Sequence, residues 1–160
     1  MFNILTFTGF HTWLSLIALA SGALLIVDLL TSRLASRLTI LFFVTAVAAN
    51  VTGFLLPFTG FLPSHGVGII SSLTLLLALL ARYGFHLAGA WRWLYAVCFV
   101  VGVYFLAFVA IAQIFQKVPA LAAMGQTPFA IAETALLIIA IVLAIKAAKA
   151  YRPTMMAAAA

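Results

Sequence analysis

The segment WLYAVCFVVGVYFLAFVAIA, residues 93–112, runs for 20 residues without a charged side chain. A bilayer core about 30 Å thick is crossed by roughly 20 helical residues, so this segment has the length and character of a membrane span. Arg92 precedes it and Lys117 follows it, which places the nearest charges outside the apolar run. The pattern therefore predicts a transmembrane helix at about residues 91–116.

The composition of the whole chain agrees with that prediction. Of its 160 residues, 68% are hydrophobic and 6% are charged, and the mean hydropathy is +1.33. These values lie far outside those of a soluble globular domain. The net charge of +6 comes from cations that stand singly or in pairs beside apolar runs, which is unlike a nucleic-acid-binding patch. We expect an integral membrane protein whose first partner is the lipid bilayer, with no nucleic acid.

Four further segments approach the length of a span, and all five are separated by turn residues. The predicted spans are residues 11–31, 38–61, 65–83, 91–116 and 128–149. Thr127 and Pro128 predict the start of the last helix, with Thr as N-cap and Pro at the first helical position. The sequence thus predicts an all-α, polytopic bundle over residues 1–152 as a single domain, followed by a short apolar tail at 153–160.

The cations give this bundle an orientation. Lys- and Arg-rich short loops stay on the cytoplasmic side during insertion. When the gaps between the spans are assigned alternately to two sides, Lys117 stands alone and the other seven cations share one side. Those seven are Arg33, Arg37, Arg82, Arg92, Lys146, Lys149 and Arg152. We therefore expect the N-terminus outside and the C-terminus inside.

Small residues predict how the helices meet, because helices in lipid pack closely where side chains are small. The stripes are His11, Ser15, Ala18 and Gly22 in the first span, Ala46, Asn50, Gly53 and Pro57 in the second, and Gly68 and Ser72 in the third. We expect these stripes to pack spans one to three together. The Asn50 side chain has two possible roles: it forms an interhelical hydrogen bond, or it is the polar lining of a small cavity.

The two carboxylates, Asp28 and Glu133, both fall inside predicted spans, where an ionisable group is costly unless it is paired, protonated or hydrated. Asp28 lies near the inner end of the first span, at the level of Arg33, Arg37 and Arg82. A structural ion pair is the simplest explanation of Asp28. Glu133 lies about one turn inside the outer end of the last span.

A candidate site follows at the outer face. His11 and His65 begin their spans there, and Glu133 lies at a similar depth; Gln113, Gln116 and Lys117 lie nearby. Three chemistries fit this set: two imidazoles on a b-type haem, His11 and His65 with Glu133 on a transition metal, or His65 and Glu133 on a quinone head group. None of the three has a specific motif, and no cofactor is the simplest expectation.

Parts of the chain resemble an uncharacterised family of small polytopic inner-membrane proteins of proteobacteria. The resemblance covers about residues 40–122 and rests on TAVAANVTGF (45–54), LPSHGVGIIS (62–71), ARY (81–83), LAGAWR (87–92) and KVPAL (117–121). It implies a multi-pass protein of the bacterial cytoplasmic membrane. It implies no catalytic activity, because none is known for that family.

These observations favour a protein that is not an enzyme, since no P-loop, GxSxG or HExxH motif is present. The leading hypothesis is a non-catalytic accessory subunit or small-molecule-binding membrane module with a polar site at the outer, periplasmic face. The first alternative is a redox component that binds haem, metal or quinone, and the second is a small transporter. Other membrane subunits or further copies of the chain are the expected protein partners.

Overall fold

The computed structural model describes residues 3–33, 36–56 and 63–152. In these residues the fold is all-helical. The helices are α1 (Phe7–Leu30), α2 (Ser36–Phe54), α3 (Pro63–Leu79), α4 (Ala90–Lys117), the short α5 (Pro119–Ala122) and α6 (Gln126–Ala150); a π-helical turn, Leu80–Gly84, extends α3. Five of the helices are long and apolar enough to cross a membrane. Their number agrees with the five spans predicted from the sequence, and their length and composition suit a multi-pass membrane protein.

The helix boundaries differ from the predicted ones in physical detail. α1 begins at Phe7 because the side chain of Thr6 accepts a hydrogen bond from the Gly9 amide and caps the helix. α2 ends at Phe54 and does not reach residue 61. α6 begins at Gln126 after Gly125, whose φ of 78° suits glycine, so the prediction of Thr127 as N-cap is wrong. Predicted features at Pro57 and in the tail 153–160 lie outside the described residues.

The five long helices run alternately up and down, so the bundle has two ends. The end where α1 begins is called the histidine end, because His11 and His65 lie there; the opposite end is called the arginine end, after Arg82. α4 is the central helix and packs against α1, α3 and α6, while α2 packs between α1 and α3. α3 therefore has two neighbours, α4 as well as the predicted α2.

The core lies where α1, α2 and α4 meet. Phe42 of α2 and Phe99 of α4 are fully buried, and their ring centroids are 4.4 Å apart. Gly22 of α1 faces this pair: a Cβ added there would lie 2.6 Å from Val103 Cγ2 and 2.8 Å from Phe42 Cε2. The predicted small-residue stripe of the first span is therefore a packing surface, since only glycine lets α1 approach this closely.

α6 is the most peripheral of the long helices. It packs on α4 and on α1, and Ala147 is its one buried residue. Large apolar side chains along the rest of the helix are exposed, Ile131, Ile138, Ile139, Val142 and Ile145 among them. In a bilayer this surface meets lipid tails, which requires no hydrogen-bonding groups.

Candidate functional site

His11 joins α1 to α2 at the histidine end. Its Nδ1 lies 2.9 Å from Thr52 Oγ1. The Thr52 hydroxyl donates to the Ala48 carbonyl at 2.7 Å, and its oxygen accepts from the imidazole in the tautomer that carries the proton on Nδ1. Gly53 makes room for the ring, because a Cβ there would lie 3.3 Å from His11 Cε1. The His11 ring thus has a structural hydrogen bond between two helices.

His65 lies at the same end but on α3. Its ring centroid is 6.4 Å from that of Phe54, which also covers Gly68 of α3. His11 and His65 therefore contact neighbouring parts of the α2 terminus. Within the described residues no three His, Cys, Asp or Glu side chains are grouped so that they would hold a metal ion. The predicted metal set of His11, His65 and Glu133 is thus not assembled in this part of the chain.

The polar end of α4 lies near His11. Gln113 is half-buried, whereas Gln116 and Lys117 are exposed. Lys117 is close enough to His11 for a Coulomb interaction between the two side chains. Of the six residues predicted to form the outer-face site, His11, His65, Lys117, Gln113 and Gln116 occupy the histidine end.

Asn50 makes the interhelical hydrogen bond that the sequence predicted. Its Nδ2 donates to Ser71 Oγ at 3.2 Å, which connects α2 to α3. Ser71 is buried and Asn50 is half-buried. A side-chain amide at this depth needs such a partner, and the bond contributes roughly 1 kcal/mol to helix association.

Glu133 belongs instead to the interface between α4 and α6. It lies about 10 Å along the axis from the first residue of α6, on the stripe that continues through Ala140 and Ala147 towards α4. Both carboxyl oxygens are buried and have no hydrogen-bond partner. Tyr104 of α4 is its electrostatic neighbour. The structure therefore gives Glu133 an environment unlike that of either histidine.

A groove of about 510 Å³ runs between α4 and α6. Val97, Val101 and Tyr104 line it from α4, and α6 contributes the small side chains Ala140, Ala144 and Ala148, which recur every fourth residue. The larger side chains Leu137, Ile141 and Ile145 of α6 also line it. The groove extends from Lys149 at the arginine end to Leu137, which lies one helical turn from Glu133 on the arginine-end side. Its walls are almost entirely apolar, and Lys149 is its one charged lining residue.

The arginine end contains a buried cation. Arg82 is only 7% exposed, and its guanidinium carbon lies 5.5 Å from the ring centroid of Tyr83 and 5.9 Å from that of Tyr95. These distances allow cation–π attraction. Tyr151, which follows α6, completes the cluster with its ring 5.6 Å from Tyr95. Burial raises the pKa of the Tyr151 phenol to about 12, although the charge of Arg82 acts in the opposite direction.

Asp28, for which an ion pair was predicted, borders a small cavity in this cluster. Asp28, Arg33 and Arg82 line the same space of about 10 Å³, with Thr39, Tyr95 and Tyr151. Within the described residues, no cationic side chain forms an ion pair with Asp28. The predicted direct pair is therefore not made, and the three residues instead border a space that fits about one water molecule.

Three hydrogen bonds fasten the end of α6 beside this cavity. Ser32 Oγ donates to the Ala150 carbonyl at 2.7 Å and accepts from the Arg152 amide at 3.0 Å. Arg92 Nη1 donates to the Tyr151 carbonyl at 2.8 Å. The partners are 59 to 120 residues apart, so no local sequence pattern predicts these bonds.

Comparisons with family models, with curated proteins and with solved structures find no match to this chain.

Proposed function

We propose that the chain is a multi-pass protein of the bacterial cytoplasmic membrane that binds an amphipathic small molecule in the groove between α4 and α6. The observation that carries the proposal is the groove itself, which is lined by apolar side chains and measures about 510 Å³. Sites for small molecules are apolar concavities of about 300–1,000 Å³. In this proposal the protein is a binding module that serves as an accessory subunit and not as an enzyme.

The shape of the groove suits a long apolar molecule. Ala140, Ala144 and Ala148 present small side chains along α6, so space remains between this helix and the α4 wall of Val97 and Val101. A chain lying along the groove would contact both walls and replace the weaker contacts that lipids make with an open surface. Tyr104, near the far end of the groove, supplies a hydroxyl group for a polar substituent.

The test is to fill the groove. Ala144→Phe places a ring in it, whereas Ala135→Phe places the same ring on the exposed, opposite side of α6. We expect hydrophobic molecules to co-purify with the wild type and with Ala135→Phe, and to be largely lost from Ala144→Phe. The measurement is mass spectrometry of organic extracts, normalised to protein, with circular dichroism to verify that each variant is helical. Equal amounts of the same molecules in all three proteins would refute the proposal.

A further inference from the structure

The groove opens at the arginine end between an aromatic and a cationic side chain. Lys149 lines its mouth from α6. On α4, Trp93, Val97 and Val101 are spaced four residues apart, so these side chains share a face. Trp93 is 47% exposed. Tryptophan and lysine at the end of a span are the residues that anchor a helix at the lipid head-group level.

Two more exposed cations lie at the same end of the bundle. Arg152 lies three residues past Lys149, beyond the end of α6, and is exposed; its amide is held by Ser32. Arg33 follows Ser32 directly and is also exposed. The one acidic residue described at this end is Asp28, which lines the small cavity together with Arg33 and Arg82. Lys149 and Arg152 therefore carry positive charge that no described carboxylate neutralises.

We propose that the groove holds an acyl chain of an anionic phospholipid from the leaflet at the arginine end, with its phosphate bound by Lys149 and Arg152. This inference rests on the proposed function, because it names the amphipathic molecule that the groove takes. Charge complementarity selects the occupant: an apolar groove that ends at Lys149, with Arg152 three residues further along the chain, matches a molecule that joins an apolar chain to an anionic head. Basic pockets between helices on the cytoplasmic side bind anionic lipid head groups in the same way.

The test compares two head groups on the same chains. Delipidated protein in neutral detergent is titrated with phosphatidylglycerol and with phosphatidylcholine, and bound lipid is counted by native mass spectrometry. We expect the wild type to prefer phosphatidylglycerol. The variant Lys149→Gln with Arg152→Gln should lose about fivefold in affinity for phosphatidylglycerol for each cation removed and keep its affinity for phosphatidylcholine.

A matched variant, Lys146→Gln with Arg37→Gln, removes two exposed cations from the same end but none from the groove mouth. It should retain the preference. Equal losses in both double variants, or no preference in the wild type, would overturn the inference. If Ala144→Phe weakens the binding of both lipids while the mouth variant changes neither, the groove binds amphiphiles without regard to charge, and this inference alone fails. If Ala144→Phe weakens neither lipid, the proposed function fails with it.

Discussion

At the scale of single residues, some described polar side chains within the spans have hydrogen-bond partners, whereas the buried oxygens of Glu133 have none. Asn50 is bonded to Ser71, and His11 is bonded to Thr52. Glu133 has two buried oxygens without a hydrogen bond. An unsatisfied buried polar group costs about 1–3 kcal/mol, so Glu133 lowers the stability of the α4–α6 interface.

Replacement of Glu133 by leucine should therefore stabilise the protein. Leucine has a similar size and leaves no polar atom unsatisfied, so we expect an increase of about 1–3 kcal/mol in the free energy of unfolding. Asn50→Leu is the contrasting change, since it removes a hydrogen bond that is made, and should lower stability by roughly 1 kcal/mol. Both effects are measurable as shifts of thermal unfolding in one detergent. A Glu133→Leu protein that unfolds below the wild type would show that the carboxyl has a stabilising partner.

At the scale of elements, α6 differs from the other long helices in how it is held. Its packing surface is narrow, with Ala147 as its one buried residue. Its arginine end is fixed by Ser32 and Arg92, whose hydrogen bonds reach the carbonyl groups of Ala150 and Tyr151. These bonds fasten the end of α6 that carries Lys149, in addition to the packing of α6 on α4.

Ser32→Ala should loosen that terminus. The change removes two hydrogen bonds, each with a net contribution of about 1 kcal/mol, so the backbone amides of residues 147–152 should exchange with solvent several-fold faster. The control is Ser72→Ala, because the Ser72 hydroxyl bonds only the Gly68 carbonyl of its own helix. Hydrogen–deuterium exchange read by mass spectrometry distinguishes the two. Unchanged exchange in Ser32→Ala would mean that packing on α4 alone holds the end of α6.

At the scale of the whole molecule, the two ends differ in charge. Five long helices place the chain termini at opposite ends, and seven of the eight cations belong to the arginine end. The positive-inside rule then assigns the arginine end to the cytoplasm in the proposed function, and the same assignment puts the proposed lipid in the inner leaflet.

Reporter fusions test this orientation. A reporter that is active only in the cytoplasm should work when it is fused after Arg152 and fail when it is inserted beside Lys117; a reporter active only in the periplasm should behave in the opposite way. The seven cations supply the physical reason, because short loops that carry them are not translocated. Activity of one reporter type at both positions would contradict a bundle of five spans.

Much of the fold was predictable because few backbone structures are stable within a bilayer. Every backbone polar group must be paired inside the segment, so each long apolar run becomes a helix. The number of spans and the packing role of Gly22 followed from that constraint. The boundaries were less predictable: α2 ends at Phe54 and α6 begins at Gln126, because turn and cap geometry at a helix end depends on local φ and ψ angles.

The site was predictable only in part. The position of a residue within its apolar segment predicts its depth in the membrane. On that basis His11, His65 and Lys117 were correctly expected at one end of the bundle. Depth does not tell which way a side chain points around its helix axis or which helix it meets. Glu133, although it was expected near the two histidines, faces α4 beside Tyr104. The groove was not predicted, because Val97 and Ala144 become neighbours only when α4 and α6 pack together.

The sequence by itself determined an all-helical chain with five helices long and apolar enough to cross a membrane, and cations gathered at one end, because hydropathy and charge act along the chain whatever its neighbours are. Only the tertiary structure decided that Asp28 and Arg82 share a cavity instead of an ion pair, that Glu133 has no partner, and that α6 leaves a groove against α4. These features depend on the rotation and lateral order of the helices. Side-chain shape sets that order through contacts of short range, and such contacts join residues that lie far apart in sequence.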